Sequence, residues 1–156
     1  YQGLPKPYLA ANRKFSSVED LKQVRGFEEK KYDLIAAYIS ALPDIATKIN
    51  VNTAPAMVLA AMDEKLDVNS VQTALKARQE KLEHFANVGE LMKIAPFDSL
   101  EAASKTEADK IFGVTSSYFK AKIEVSLSNR KRQFTTRFMR NDKSQVYVYS
   151  RSLATF

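Results

Sequence analysis

The 156 residues carry 45% hydrophobic and 27% charged side chains, the proportions of a folded globular chain able to bury about two-thirds of its unfolded surface, which excludes a disordered or fibrous protein. The absence of cysteine excludes a disulfide framework and any thiolate metal site, and no apolar run approaches the roughly 18 to 20 residues that span a bilayer. A formal charge of +6 is compatible with anionic partners, but a surplus of this size also serves solubility alone.

The chain starts at Tyr1-Gln2-Gly3, without the layout of a signal peptide and without Met, and from the missing Met a processed or trimmed product is expected. Pro5 and Pro7 predict an extended lead-in, because proline lacks the amide proton and biases the preceding residue away from helix. Ser16-Ser17-Val18-Glu19 reads as a capping box with Ser16 as N-cap and Glu19 reaching back. Val18, Leu21 and Val24 form the apolar face of that helix, and Gly26 ends it in a left-handed conformation. A second helix is expected from Glu28 to Ile39, with Tyr32, Ile35, Tyr38 and Ile39 at helical spacing and Pro43 closing it.

Thr53 predicts an N-cap with Pro55 in the first turn, followed by a buried face of Met57, Val58, Ala61 and Met62. Val68 to Lys81 reads as a helix with Val71, Leu75 and Arg78 on one side. Asn87-Val88-Gly89-Glu90 repeats the cap signature, and the short helix after it runs through Ile94 and stops at Pro96. The Ala- and Glu-rich stretch from Ser99 to Phe112 is helix-compatible with a weak apolar face.

After Gly113 the period changes to two. Phe119, Ala121, Ile123, Val125 and Leu127 alternate with polar residues, predicting a half-buried strand. Gln133 to Arg140 and Gln145 to Arg151 are further strands, joined by the turn composition Asn141-Asp142-Lys143-Ser144. Asn129-Arg130-Lys131-Arg132, the densest basic cluster, reads as the tip of the first hairpin. Three such strands make a meander too small to stand without packing on one face, so it must dock on something.

Phe15, Val18, Leu21, Val24 and Phe27 are matched by Phe85, Val88, Leu91, Ile94 and Phe97, every pair 70 residues apart. In each copy an aromatic residue precedes the N-cap as a staple, an acid sits in the first turn, and a second aromatic covers the helix end. Short amphipathic helices in general share this pattern, but five matched positions argue for two similar helical substructures packed together.

Between the copies stands Ile49-Asn50-Val51-Asn52-Thr53-Ala54, followed by Leu59, Val71, Ala74, Arg78, Phe85 and Leu91. This order resembles the pattern of helix-hairpin-helix modules, including competence DNA receptors. It resembles more closely the K-type minor pseudopilins of the type II secretion system. The latter resemblance takes in Asn12 to Phe15, Val18 to Leu21, Val24 to Gly26, Ala41-Leu42-Pro43, the Asn50 block, Ser117-Tyr118-Phe119, Arg140 and Arg151, and it alone accounts for the terminal meander.

It implies an α+β fold in which a mostly helical domain of helix-hairpin-helix-like (SAM-like) units, residues 8–114, is inserted in a pilin-like body. Residues 115–156 are the C-terminal β part of that body, ending in a three-stranded antiparallel meander, and the N-terminal membrane helix lies outside this chain. The implied role is structural and non-enzymatic: a protein at the pseudopilus tip, anchored in the bacterial inner membrane on its periplasmic side, assembling with I- and J-type pseudopilins to support protein export. Some members of that family bind calcium. The alternative is a helix-hairpin-helix nucleic-acid-binding module.

Against nucleic acid, the turn after the Asn50 block reads Met62-Asp63-Glu64-Lys65-Leu66-Asp67, acidic and without the glycine that lets backbone amides approach phosphate. His84 is the sole histidine, which excludes multi-histidine metal sites and leaves acid–base catalysis without its commonest residue. Glu28, Glu29, Asp63, Glu64, Glu107 and Asp109 sit at helix starts or turns, where solvation and the helix dipole account for them. Asn50, Asn52 and Thr53, with Phe15, Phe27, Phe85 and Phe97, are read as a structural signature. Asp142 is the single candidate oxygen ligand for calcium, a cation that takes six or more oxygens.

Overall fold

The computed structural model describes residues 2–3, 7–10, 12–28, 30–44, 46–128 and 130–153. Pro5, Glu29 and Asn129, which figure in the sequence expectations, lie outside them. The chain forms two compact units, residues 1–45 and 46–156.

In the first unit a 3-10 helix spans Val18–Gln23 and a short α-helix, α1, spans Lys30–Ile35. The cap of the 3-10 helix lies one residue later than the sequence suggests: Ser17 is the N-cap, and Asp20, not Glu19, reaches back. The Asp20 carboxylate accepts from the Ser16 N–H at 2.8 Å, the Ser16 hydroxyl at 3.0 Å and the Ser17 N–H at 3.3 Å. Two adjacent serines and two adjacent acids make both registers possible, and the register that gives one carboxylate three donors prevails. Gly26 takes φ +96°, the left-handed conformation expected of it, three residues past the helix end. The expected helix to Ile39 stops at Ile35. Tyr32, with Lys22 at 4.4 Å over its ring, is the buried hydrophobic side chain of this unit among the described residues.

The second unit begins with β1, Ile49–Asn50, which pairs in parallel with β2, Phe112–Gly113. The ladder ends with the Val51 N–H donating to the Gly113 carbonyl at 2.9 Å. Gly113 suits this close approach, since a Cβ there would lie 3.3 Å from the Lys48 Cβ. Between these strands run α2 (Ala56–Ala60), α3 (Val68–Glu80), α4 (Val88–Leu91), a 3-10 turn (Phe97–Ser99) and α5 (Ala102–Ile111).

Helix α2 starts after Pro55, not Thr53, and buries Ala56, Leu59 and Ala60; of the expected face Met57 and Ala61 are exposed, while Val58 is half-buried and Met62 packs against the core from just past the helix. The pair of alanines lets the backbone approach its neighbours, which a pattern of larger side chains does not reveal. Helix α3 matches its expected span, with Val71 buried and Leu75 and Arg78 half-buried on the same side. The core joins Val51, Leu59, Leu66, Val71, Phe85, Leu91, Phe97, Leu100 and Phe112, all from the segment that β1 and β2 close.

Asp67 caps α3 by accepting from the Ser70 N–H at 2.8 Å and the Ser70 hydroxyl at 2.9 Å. The backbone hydrogen bond from Ser70, more than any other contact, holds the Asp67 carboxyl below its ordinary range. The same direction holds for Asp20, Glu28 and Asp63, led by hydrogen bonds from Ser16, Gly26 and Ser104 respectively. Carboxyls lowered on folding contribute stability above their unfolded values, near pH 4, that is lost as the pH falls through the folded values. Thermal melts are therefore expected to be flat near neutrality and to fall below about pH 4, and Asp67→Ala is expected to flatten part of that fall.

The C-terminal meander is β3 (Tyr118–Leu127), β4 (Arg130–Arg140) and β5 (Val146–Leu153), antiparallel in the order β3-β4-β5. Tyr118 pairs with Met139 and Leu127 with Arg130, so Arg130, Lys131 and Arg132 lie in β4 and do not form the expected tip. The turn from Asn141 to Ser144 forms as composition predicts: the Asn141 Oδ1 accepts from the Lys143 N–H at 3.1 Å and the Gln145 N–H at 2.9 Å. The alternation of β3 is real but its burial is not. Phe119 is 44% exposed and Leu127 76%, because an alternating strand is half-buried only where another layer covers it.

Candidate functional site

The Asn50 block forms a hydrogen-bonded clasp. The Asn50 Oδ1 accepts from the Asn52 N–H at 3.0 Å, and its backbone carbonyl accepts from the Thr53 N–H at 3.1 Å and the Ala54 N–H at 2.9 Å. This folds the chain sharply out of β1. The Thr53 hydroxyl adds a long contact of 3.4 Å to the same carbonyl, so Thr53 serves this turn and does not cap α2.

The turn aims the Asn52 amide at the backbone of Phe85. Its Oδ1 accepts from the Phe85 N–H at 2.8 Å and its Nδ2 donates to the Phe85 carbonyl at 3.1 Å. A primary amide is the side chain that can satisfy both groups of one peptide residue at once. Phe85 is buried, and the Arg78 guanidinium lies 4.2 Å over its ring while donating to the His84 carbonyl at 3.2 Å. Arg78 also faces Glu83 at 3.9 Å and Glu90 at 3.7 Å. The Glu90 carboxylate in turn accepts from the Ala86 N–H at 3.0 Å, and Asn87 caps the same turn by accepting from the Glu90 N–H at 3.1 Å. The His84 side chain is exposed and outside this network.

The two copies of the sequence repeat keep their offset at the level of hydrogen bonds. Asp20 takes the Ser16 N–H as Glu90 takes the Ala86 N–H, 70 residues on. Burial separates them. Phe85, Val88, Leu91 and Phe97 are buried, whereas Phe15 is 50% exposed and Val18, Leu21, Val24 and Phe27 are half-buried. Phe15, at the position expected of a staple, lines a shallow cavity with Tyr8, Leu9, Arg13 and Asp20. The copies fall in different units.

Ser116, which the sequence did not single out, joins the clasp to the meander. Its hydroxyl accepts from the Asn50 Nδ2 at 3.0 Å, and its carbonyl accepts from the Arg140 Nη2 at 2.9 Å. Arg140 also lies 5.8 Å over the Phe119 ring. The cross-strand register places Phe119, Ile123, Val125 and Leu127 on one face with Phe134, Phe138 and Val148, bordered by Arg130, Arg132 and Arg140. That face is an open apolar surface.

Asp142 is exposed in its turn, and the neighbouring Asn141 Oδ1 is committed to backbone amides. Among the described residues no group of three or more His, Cys, Asp or Glu side chains could hold a metal. In the acidic turn after α2, Asp63 accepts from the Lys65 N–H at 3.0 Å and the Ser104 hydroxyl at 2.6 Å, which fixes its carboxylate where a helix-hairpin-helix module would present backbone amides.

Residues 1–44 match the first-domain model of type II secretion system protein K, and residues 49–114 match a second model of the same description. The chain belongs to the type II secretion system protein K family. Curated members agree along nearly its full length: protein K of Aeromonas hydrophila is 28% identical over 97% of the chain, and that of Pseudomonas aeruginosa 32% over 94%. The chain spans 45% and 41% of those proteins, less than half of each. The fold is similar to one in the crystal structure of the GspK-GspI-GspJ complex from the type 2 secretion system of enterotoxigenic Escherichia coli, with a TM-score of 0.75 over all of this chain and 54% of that one, at 17% identity. That likeness takes in both the helices and the three-stranded sheet. Among the described residues no helix is long and apolar enough to cross a membrane.

Proposed function

We propose that this chain is part of a structural, non-catalytic minor pseudopilin at the tip of the type II secretion pseudopilus, assembling with I- and J-type pseudopilins to support protein export. Membership of the protein K family carries the reading, and the open apolar face of the β3-β4-β5 sheet supports it. In this reading residues 8–114 are a helical domain of helix-hairpin-helix-like units inserted in a pilin-like body, and residues 115–156 are the β part of that body.

A hydrophobic N-terminal helix, preceding these residues in the whole protein, anchors it in the inner membrane from the periplasmic side and covers Phe119, Ile123, Val125 and Val148. Burying such side chains is worth about 1.5–3 kcal/mol each, enough to dock a meander that cannot stand alone. Co-expression with I- and J-type pseudopilins followed by size-exclusion chromatography is expected to give one complex at micromolar concentration; separate elution of all three would sink the proposal.

A further inference from the structure

Charge is segregated along the chain. Residues 115–156 hold nine of the 24 basic residues and two of the 18 acidic ones, a net +7, while residues 1–114 net −1. The whole positive surplus therefore belongs to the meander. The face of the sheet opposite the apolar one carries Lys120, Lys122, Lys131 and Arg137 by register, with Tyr118, Met139 and Tyr147 in one cross-strand row.

Tyr149, left without a cross-strand partner at the irregularity opposite Arg137 and Phe138, sets its ring edge-on to Tyr118 at 5.8 Å and 86°. Glu124, the carboxylate that the register places on this face, is paired with Lys131 at 3.1 Å. Tyrosine, methionine and arginine are the side chains enriched at the centres of protein interfaces, and a face kept only for solvation has no use for three tyrosines. A sheet face bearing partly buried aromatic anchors suits a protein surface better than a lipid one, which an exposed apolar tip would enter.

We propose that this tyrosine-and-cation face is a docking surface for an acidic protein segment. The charge complementarity names the partner's chemistry: carboxylates to meet Lys120, Lys122 and Arg137, and an apolar side chain to lie against Tyr118 and Tyr147. Such a surface raises the rate of encounter as well as the affinity, and it weakens with salt. The inference stands whether or not a helix covers the opposite face.

The test is fluorescence anisotropy of a labelled peptide, about 16 residues of glutamate with interspersed Leu and Tyr, titrated with the purified chain at low and high salt. Salt-sensitive binding is expected. Lys120→Gln with Arg137→Gln is expected to weaken it about tenfold, and the charge-neutral Tyr147→Ser about threefold. Arg130→Gln with Arg132→Gln, which removes the same charge from the opposite face, is expected to change it less than about twofold. Circular dichroism melts confirm that each variant folds, and the exposed single change Lys122→Gln replaces the first pair should it not. Equal losses from the two double variants, no effect of Tyr147→Ser, or binding to phosphatidylglycerol vesicles in place of the peptide overturns the proposal.

Discussion

Phe85→Ala is expected to destabilise the 46–156 unit by about 3–5 kcal/mol, whereas Phe15→Ala, at the equivalent position of the repeat, is expected to cost under about 1 kcal/mol. Phe85 is 4% exposed and packs into the main core, so truncation both forfeits transfer free energy and leaves a cavity. It also removes the ring beneath the Arg78 guanidinium, whose Nε already lacks a hydrogen-bond partner. Phe15 is half in solvent and leaves no cavity when shortened. Chemical denaturation of the two variants separates the outcomes, since equal losses would mean that the copies are equally buried.

The second large effect is expected at Asn52. Asn52→Ala removes the acceptor for the Phe85 N–H and the donor for the Phe85 carbonyl, leaving both ends of a buried residue unmatched. At about 1–3 kcal/mol for each stranded group, discounted for water entering the space, the loss comes to about 2–4 kcal/mol. Asn52→Asp discriminates the mechanism: it keeps an acceptor for the N–H but sets a carboxylate against the carbonyl. It is expected to be no more stable than Asn52→Ala at neutral pH and to recover when acidified enough to protonate the carboxyl, until general acid unfolding intervenes. An unchanged denaturation midpoint in both variants would remove Asn52 from the clasp.

The sequence was most legible where one physical rule acted alone. Helix α3 is long enough for its period to show, and Asp67 and Glu80 bound it within a residue of expectation. The Asn141 turn follows from side-chain chemistry that is local by nature, and the alternation of Phe119, Ile123 and Val125 gave β3 directly. Legibility failed where distant groups decide. Two-residue strands such as β1 and β2 have no period, and their pairing joins positions more than sixty residues apart. Helix α2 is five residues long and takes its buried face from its neighbours, so its spacing points to Met57, which is exposed, and not to Ala56 and Ala60, which are buried.

The clasp shows the same division. Asn50, Asn52 and Thr53 stand out as a block because amides and hydroxyls before a helix satisfy turns, yet nothing local says that Asn52 grips Phe85 or that Ser116 completes the set. The repeat was readable as spacing and as capping acid, but not as burial, because the side chains that surround each copy are specified elsewhere.

The Ser116 junction also has a mechanical meaning. One residue takes the Asn50 amide on its hydroxyl and the Arg140 guanidinium on its carbonyl, so the helical core and the sheet meet through a polar knot. Tension along β4 passes from Arg140 into the Ser116 backbone and from there to Asn50, which is itself sewn to β2 by the short parallel ladder. The sheet is thus tied to the core at the edge where the β1-β2 ladder joins the two ends of the helical segment.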